Sequence, residues 1–144
     1  MQRAILLGAI VVVAALHLTS IPATIWEYDE SLFAMAVEKY EPLLHNPPPP
    51  GYPIYIGVAK LVAPLAGYVP FRALVALSAF TAIAGFILLA FAFRQLTGST
   101  RAGVMGAVLF YASPTMLLHA TLPQSDSGAL ALLALSMWLR RQER

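Results

Sequence analysis

Three apolar stretches constrain this chain more than any other feature, because each is long enough to cross a bilayer as a helix. They are Ala4–Ile25, Ala73–Phe93 and Ala102–Leu122, and a helix needs about 20 apolar residues to span the hydrocarbon layer. A fourth stretch, residues 124–139, is shorter but almost purely apolar, and the basic sequence RRQER follows it. The sequence therefore predicts an all-α integral membrane protein with about four transmembrane helices.

The composition supports the same class. Hydrophobic residues make up 59% of the chain and charged residues only 11%, whereas a soluble domain has about 25% charged residues. The net charge of +2 provides no basic surface, so no nucleic-acid partner is expected. The absence of cysteine excludes disulfides, a thiol nucleophile and a cysteine metal site. The first apolar stretch could open a signal peptide, but its length favours a retained helix.

The basic residues predict the orientation, and segment 52–69 decides between two arrangements. Lys60 lies near its middle and Pro64 within it, so the segment is too broken for an unaided span. An interfacial helix over 54–69 satisfies the positive-inside rule with a cytoplasmic N-terminus, whereas a fifth span would turn most of the arginines outward. The arginines predicted to face the cytoplasm are Arg3, Arg94, Arg101, Arg140, Arg141 and Arg144.

The predicted outer loop, residues 26–72, begins with an amphipathic pattern that indicates a surface helix over 29–41. The apolar face consists of Leu32, Phe33, Ala36, Val37 and Tyr40, and Glu30, Ala34, Glu38 and Glu41 lie opposite. Pro42 is expected to end this helix, because the residue before a proline is driven out of the helical region.

The acidic residues of the outer face have two interpretations. Asp29 stands where the surface helix starts and Asp126 where the fourth span starts, so both could be N-caps worth about 1 kcal/mol each. The alternative is a catalytic site, because Glu27, Asp29 and Glu30 are more acid than a cap requires. Asp126 reaches the same membrane face independently, and a positioned carboxylate can serve as a general base.

The three histidines, His17, His45 and His119, fall in the outer half of the membrane or outside it. Together with the acids, these histidines could hold a divalent cation. No pair has the spacing of a metal-binding helix, so no resident metal is predicted. We expect His17 and His119 to form hydrogen bonds between helices.

A proline-rich elbow, HNPPPPGYPIY over residues 45–55, joins the surface helix to the interfacial helix. Four successive prolines exclude a helix interior or a central strand. Such a run favours a stiff polyproline II spacer, and a plain rigid linker is the simplest interpretation.

The order of these features resembles the GT-C glycosyltransferases, in particular the branch of protein O-mannosyltransferases, lipid A aminoarabinose transferases and their bacterial relatives. The matching features are a first span, YDES opening a surface helix, PPPPGYPIYIGVAK leading into an interfacial helix, and SD at the next outer turn. The resemblance covers essentially the whole chain but only the N-terminal part of a family enzyme. It implies sugar transfer from a polyprenyl-phosphate-linked donor, at the extracytoplasmic face of a bacterial cytoplasmic (inner) membrane.

The resemblance also implies roles for individual residues. Asp29 corresponds to the catalytic base, Glu30 to its neighbour in the family's acidic pair, and Asp126 to the second outer acid. The implied substrate-binding residues are His45, Tyr52, Lys60 and Arg72, of which Lys60 and Arg72 would meet the lipid phosphate. Relatives carry histidine or lysine directly before a Pro-Pro pair, whereas this chain has Pro48 there and His45 three residues earlier.

Membrane lipid is an expected partner, and the missing family helices imply a downstream region or a further membrane chain. The main alternative is a non-catalytic four-helix membrane scaffold or partner protein whose acids are only caps. A transporter fragment is disfavoured, because few polar residues fall at mid-membrane depth.

Overall fold

The computed structural model describes residues 2–140, which fold into seven α-helices and contain no β-strand. The all-α prediction is confirmed for this part of the chain. The helices are α1 (Gln2–Thr19), α2 (Tyr28–Glu38), α3 (Pro53–Val62), α4 (Pro70–Thr97), α5 (Thr100–Tyr111), α6 (Pro114–Thr121) and α7 (Asp126–Arg140), with 3-10 turns at Pro42–Leu44 and Ala63–Ala66.

Two helices in the described chain are long and apolar enough to cross a membrane, α1 with 18 residues and α4 with 28. A third span is counted if α5 and α6, which are bent by 71°, are taken as one. The predicted fourth span, 124–139, is α7, whose 15 residues fall short of the usual length of a span. The structure therefore has two or three candidate spans.

α4 is the central helix, because α1, α5 and α7 all pack against it. The main core joins Val13 of α1 to Phe86 of α4, Tyr111 of α5 and Ala134 of α7. A second core forms where α2 and α3 pack on the first turns of α4, and it includes Phe33, Ile56 and Leu74. The second core places α2 and α3 beside one end of the bundle.

Four of the five described arginines lie at the opposite end of the bundle from the acids. At the basic end, which contains Arg3, Arg94, Arg101 and Arg140, the Thr100 hydroxyl donates to the Gln2 side chain at 3.2 Å. At the acidic end, which contains Glu27, Glu30 and Asp126, the loop before α7 bonds to α4 and to Glu27. The described arginines of the predicted cytoplasmic group thus share one end, whereas Arg141 and Arg144 lie outside the described residues.

The first predicted span, 4–25, is wrong at its outer boundary, because α1 ends at Thr19. The hydroxyl of Thr19 donates to the carbonyl of Ala15, and that of Ser20 to the carbonyl of Leu16. The bond from Ser20 satisfies the Leu16 carbonyl, which the last turn would leave without a backbone partner because the Ser20 N–H donates to His17. Pro22 then keeps the chain from resuming the helix.

The predicted third span, 102–122, is not one continuous helix. It divides into α5 and α6 at Ala112–Ser113, because Pro114 forces Ser113 into an extended conformation, with ψ 145. The Ser113 hydroxyl donates to the Phe110 carbonyl at 2.7 Å and accepts from the Met116 N–H at 3.4 Å. One side chain therefore ends α5 and caps α6.

The remaining helix boundaries also differ from the predictions. The surface helix predicted over 29–41 is α2, which ends at Glu38. The interfacial helix predicted over 54–69 is α3 and its 3-10 turn, where Pro64 interrupts the α-helical pattern. α4 exceeds the predicted 73–93 at both ends, starting at Pro70 and ending before Gly98, whose φ of +69 suits a C-cap glycine.

Candidate active site

A chain of hydrogen bonds joins the loop before α2 to the loop before α7. The side chain of Gln124 donates from Nε2 to Glu27 at 3.0 Å and accepts at Oε1 from Nδ1 of His119 at 2.9 Å. Because an amide oxygen can only accept, Nδ1 carries the hydrogen. Oδ2 of Asp126 lies 3.7 Å from the same nitrogen, which suits an ion pair but is too long for a hydrogen bond. Glu27 and Asp126 therefore belong to one cluster.

Tyr55 connects α3 to this cluster through α4. The Ser78 hydroxyl donates to the backbone carbonyl of Gln124 at 3.1 Å, so the Tyr55 hydroxyl, 3.3 Å away, donates to Ser78. A second bond, of 2.8 Å between the hydroxyls of Thr81 and Ser127, joins α4 to α7. These polar groups fix the start of α7 against α4 at the acidic end.

The charges of two predicted catalytic acids, Glu30 and Asp126, both raise the pKa of the Tyr55 hydroxyl. Burial raises the pKa of Tyr55 above its ordinary value of 10.0. The Ser78 hydroxyl can donate to the ionised phenolate, which lowers this pKa in part, and the charges of Asp126 and Glu30 raise it further. Glu30 and Asp126 are far apart in sequence, and the fold brings both within electrostatic reach of Tyr55.

Glu30 is fully buried, so its predicted place on the polar face of α2 is wrong. Its Oε2 accepts the backbone N–H of Trp26 at 2.8 Å, much as a glutamate in the first helical turn closes a capping box. Its Oε1 is buried and has no hydrogen-bond partner among the described residues. An unpaired buried oxygen costs free energy.

Asp29, in contrast, is exposed at the second position of α2. The N-cap position belongs to Glu27, which makes no capping bond from its side chain, so the interpretation of Asp29 as the N-cap is wrong. Among residues 2–140 the Asp29 carboxylate has no hydrogen bond or ion pair. It contributes a negative charge to the first helical turn, and its oxygens are open to solvent.

The contacts do not gather the four predicted substrate-binding residues into one place. His45 is exposed in the elbow with a left-handed φ of 60, and Tyr52 packs edge-on against Phe33 at 5.1 Å. Lys60 is exposed on α3, and Arg72 is exposed near the start of α4. Their roles stay predictions.

The elbow folds back on α2 instead of forming an extended polyproline II spacer. Glu41 and Asn46 exchange two backbone hydrogen bonds, of 2.7 and 3.1 Å, and the Asn46 amide donates to the Lys39 carbonyl. Gly51 has a φ of +91, and a Cβ there would lie 3.1 Å from the Tyr40 hydroxyl. The elbow is therefore braced against the C-terminal end of α2.

His17 and His119 do not form the hydrogen bonds between helices that the sequence predicts. The buried His17 ring bonds the Val13 carbonyl within its own helix at 2.8 Å and lies 6.0 Å from the Tyr111 ring. His119 bonds Gln124 in the loop that follows its helix. Within residues 2–140, no group of three or more His, Cys, Asp or Glu side chains lies close enough to hold a metal ion.

Sequence reasoning missed Tyr55, Ser78 and Gln124. Ser78 was visible as a hydroxyl in an apolar stretch, and such groups tend to bond between helices. Gln124 directly precedes the predicted acidic turn. Neither signal identifies a partner, because the bonds cross between segments that are far apart in the chain. No family model, curated protein or solved structure matches the chain.

Proposed function

We propose that this chain is the N-terminal module of a glycosyltransferase that uses a polyprenyl-phosphate-linked sugar. In this proposal α1, α4, the α5–α6 pair and α7 are four spans of a bacterial inner membrane, with the N-terminus in the cytoplasm. The acidic end faces the extracytoplasmic side, where α2 and α3 lie in the interface. A downstream region or a further membrane chain completes the donor and acceptor sites.

The observation that carries the proposal is the contrast between Asp29 and the acids around it. Glu27 and Glu30 accept hydrogen bonds, and the Asp126 carboxylate lies 3.7 Å from Nδ1 of His119, so all three contact neighbouring polar groups. Asp29 is exposed and has no such partner among the described residues. A carboxylate held at the start of a helix and open to solvent can accept a proton from a bound hydroxyl.

The proposed reaction is a single displacement at the anomeric carbon of the sugar. The acceptor oxygen forms the new bond to that carbon, and the bond from carbon to the phosphate oxygen breaks. Polyprenyl phosphate leaves with the bonding electrons, and Asp29 takes the proton of the acceptor hydroxyl. Positioning of the acceptor and a fixed base supply most of the catalysis, since phosphate is already a good leaving group.

The other predicted residues take supporting roles in this scheme. Glu30 and Asp126 position the Asp29 turn and the loop before α7, and His45 and Tyr52 border the sugar. Lys60 is an exposed cation with no ion pair among residues 2–140, so it is available to the donor phosphate. Arg72 was predicted to share this role.

The test is transfer of radiolabelled sugar from polyprenyl-phosphate donors, in membranes that contain the chain with everything its reading frame encodes downstream. We expect Asp29→Asn to abolish transfer, because an amide cannot act as the base. The matched control is Glu38→Gln, an exposed acid on the same helix, which should retain activity. Near-normal transfer by a folded Asp29→Asn variant would refute the proposal.

A non-catalytic scaffold is the second candidate, and a specific observation favours it. The bonds between Glu27, Gln124 and His119 tie two loops together and need no ligand to explain them. A scaffold predicts that no donor supports transfer, with or without the downstream region.

A further inference from the structure

An apolar groove of about 720 Å³ separates the end of α1 from the first half of α4. Leu18, Ile21 and Ala23 line one side of it, and Val75 and Ile83 lie on the other. Both bordering helices are candidate membrane spans, so membrane lipid has direct access to the groove.

The groove lies on the opposite face of α4 from the acidic cluster. One face of α4 lines the groove, and its residues recur at spacings of four, three and four. They are Arg72, Ala76, Ala79 and Ile83. A second set of residues has the same spacing but begins two positions later, so it lies about 200° around the helix from the first set. It consists of Leu74, Ser78, Thr81 and Gly85. Ser78 and Thr81 bond to Gln124 and Ser127, so the second face belongs to α7 and the candidate active site.

Arg72 is the only charged side chain among the described residues that line the groove. It is exposed and forms no ion pair with any residue of the described chain. A guanidinium has several donors in a planar fork that matches phosphate oxygens. An apolar channel that ends at an unpaired arginine has the polarity of a phospholipid, which has hydrocarbon chains below and a phosphate above.

We propose that the groove binds one anionic phospholipid of the surrounding membrane, with an acyl chain between α1 and α4 and the phosphate on Arg72. The apolar walls pair with hydrocarbon, and the single positive charge selects a headgroup with net negative charge. The sugar donor is a poorer occupant, because its phosphate would lie across α4 from Asp126. Arg72 is thereby assigned to the membrane lipid, and this assignment does not depend on the proposed transferase activity.

The test uses the absence of native cysteine to place one fluorescent label in the groove. The full chain with Ala23→Cys is labelled with bimane and reconstituted in vesicles that contain phospholipids brominated on their acyl chains. Quenching by brominated phosphatidylglycerol is compared with quenching by brominated phosphatidylcholine at equal mole fraction. We expect phosphatidylglycerol to quench about five-fold more effectively, the preference that one basic residue gives for an anionic lipid.

Arg72→Gln should bring this ratio close to one, because it keeps a polar side chain that can donate hydrogen bonds but removes the charge. The matched control is Lys60→Gln, because Lys60 is a cation at the same end of the molecule that does not line the groove. This variant should preserve the ratio. A label at Leu132→Cys, on the exposed surface of α7, should show no preference. A ratio near one at Ala23→Cys, or a ratio that survives Arg72→Gln, would overturn the proposal.

A competition arm separates the two lipid phosphates. Unbrominated polyprenyl phosphate should not reverse the quenching when phosphatidylglycerol is in molar excess. Reversal under those conditions would assign the groove to the polyprenyl lipid and would overturn the phospholipid assignment. Near-normal sugar transfer by Asp29→Asn would refute the transferase proposal but would leave this quenching result unchanged, so the two proposals can fail separately.

Discussion

Tyr55 shows how single residues at the acidic end are tied to the fold. Its hydroxyl donates to Ser78, and burial together with the charges of Asp126 and Glu30 raises its pKa. The folded protein therefore holds this phenol neutral at a pH at which the same group ionises in the unfolded chain. Its contribution to stability is complete below pH 10, the ordinary pKa of the group, and is lost as the pH rises toward the folded value.

We predict that the free energy of unfolding falls as the pH is raised above 10, with Tyr55 contributing about 1.4 kcal/mol per pH unit. Tyr55→Phe should remove this part of the slope. Tyr68→Phe, at a tyrosine that is 76% exposed, is the matched control. Chemical unfolding in detergent micelles across this pH range measures the effect, and equal slopes in the wild type and Tyr55→Phe would contradict the prediction.

At the scale of elements, the contact between α4 and α5 depends on glycine. A Cβ on Gly103 would lie 2.6 Å from the backbone nitrogen of Arg94 and 2.7 Å from the carbonyl oxygen of Ala90. These neighbours are backbone atoms and cannot rotate away. Close approach of helices through small residues is typical of membrane proteins, because lipid provides no hydrophobic drive for helices to associate.

Gly103→Ala should force α5 away from α4 and lower the free energy of unfolding by about 1–3 kcal/mol, the usual cost of overpacking. Gly8→Ala is the matched control, since nothing lies within 4 Å of a Cβ at that helical position. Its stability should be unchanged or slightly raised, because alanine favours the helix over glycine. Both variants are compared by thermal unfolding in the same detergent, and equal melting temperatures would refute the packing argument.

At the scale of the whole molecule, most of the described arginines lie at the opposite end of the bundle from the acids, although Lys60 and Arg72 lie at the acidic end. The described arginines at the starts of α1 and α5 and at the ends of α4 and α7 lie together, and Glu27, Glu30 and Asp126 lie at the other end. If the positive-inside rule holds, the basic end faces the cytoplasm. The bend between α5 and α6 is then part of the third crossing.

Single-cysteine labelling with a membrane-impermeant reagent tests this topology in intact cells. Leu43→Cys, in the 3-10 turn Pro42–Leu44 that precedes the elbow, is 95% exposed and should react from outside. Leu96→Cys, in the last turn of α4 and 50% exposed, should react only after the cells are opened. Labelling of Leu96→Cys in intact cells would contradict the four-span arrangement.

The sequence by itself determined the helical class, the long apolar helix α4 and the approximate starts of α2 and α3. Apolar length and the positions of proline and glycine act locally, so they can be read from one segment. Two proline effects are larger than the apolar length indicates. α1 ends before Pro22 and is shorter than the predicted span 4–25, and Pro114 divides the predicted span 102–122 into α5 and α6 at Ser113.

Only the tertiary structure decided which acids are paired and which are open. Periodicity placed Glu30 on the polar face of α2, but its carboxylate folds back to the Trp26 N–H and is buried. The bonds from Gln124 to Glu27 and His119 join loops that no local pattern connects. Such pairings depend on how α4 brings distant segments together, and this packing leaves Asp29 open to solvent and Arg72 on the opposite face of α4 from Ser78.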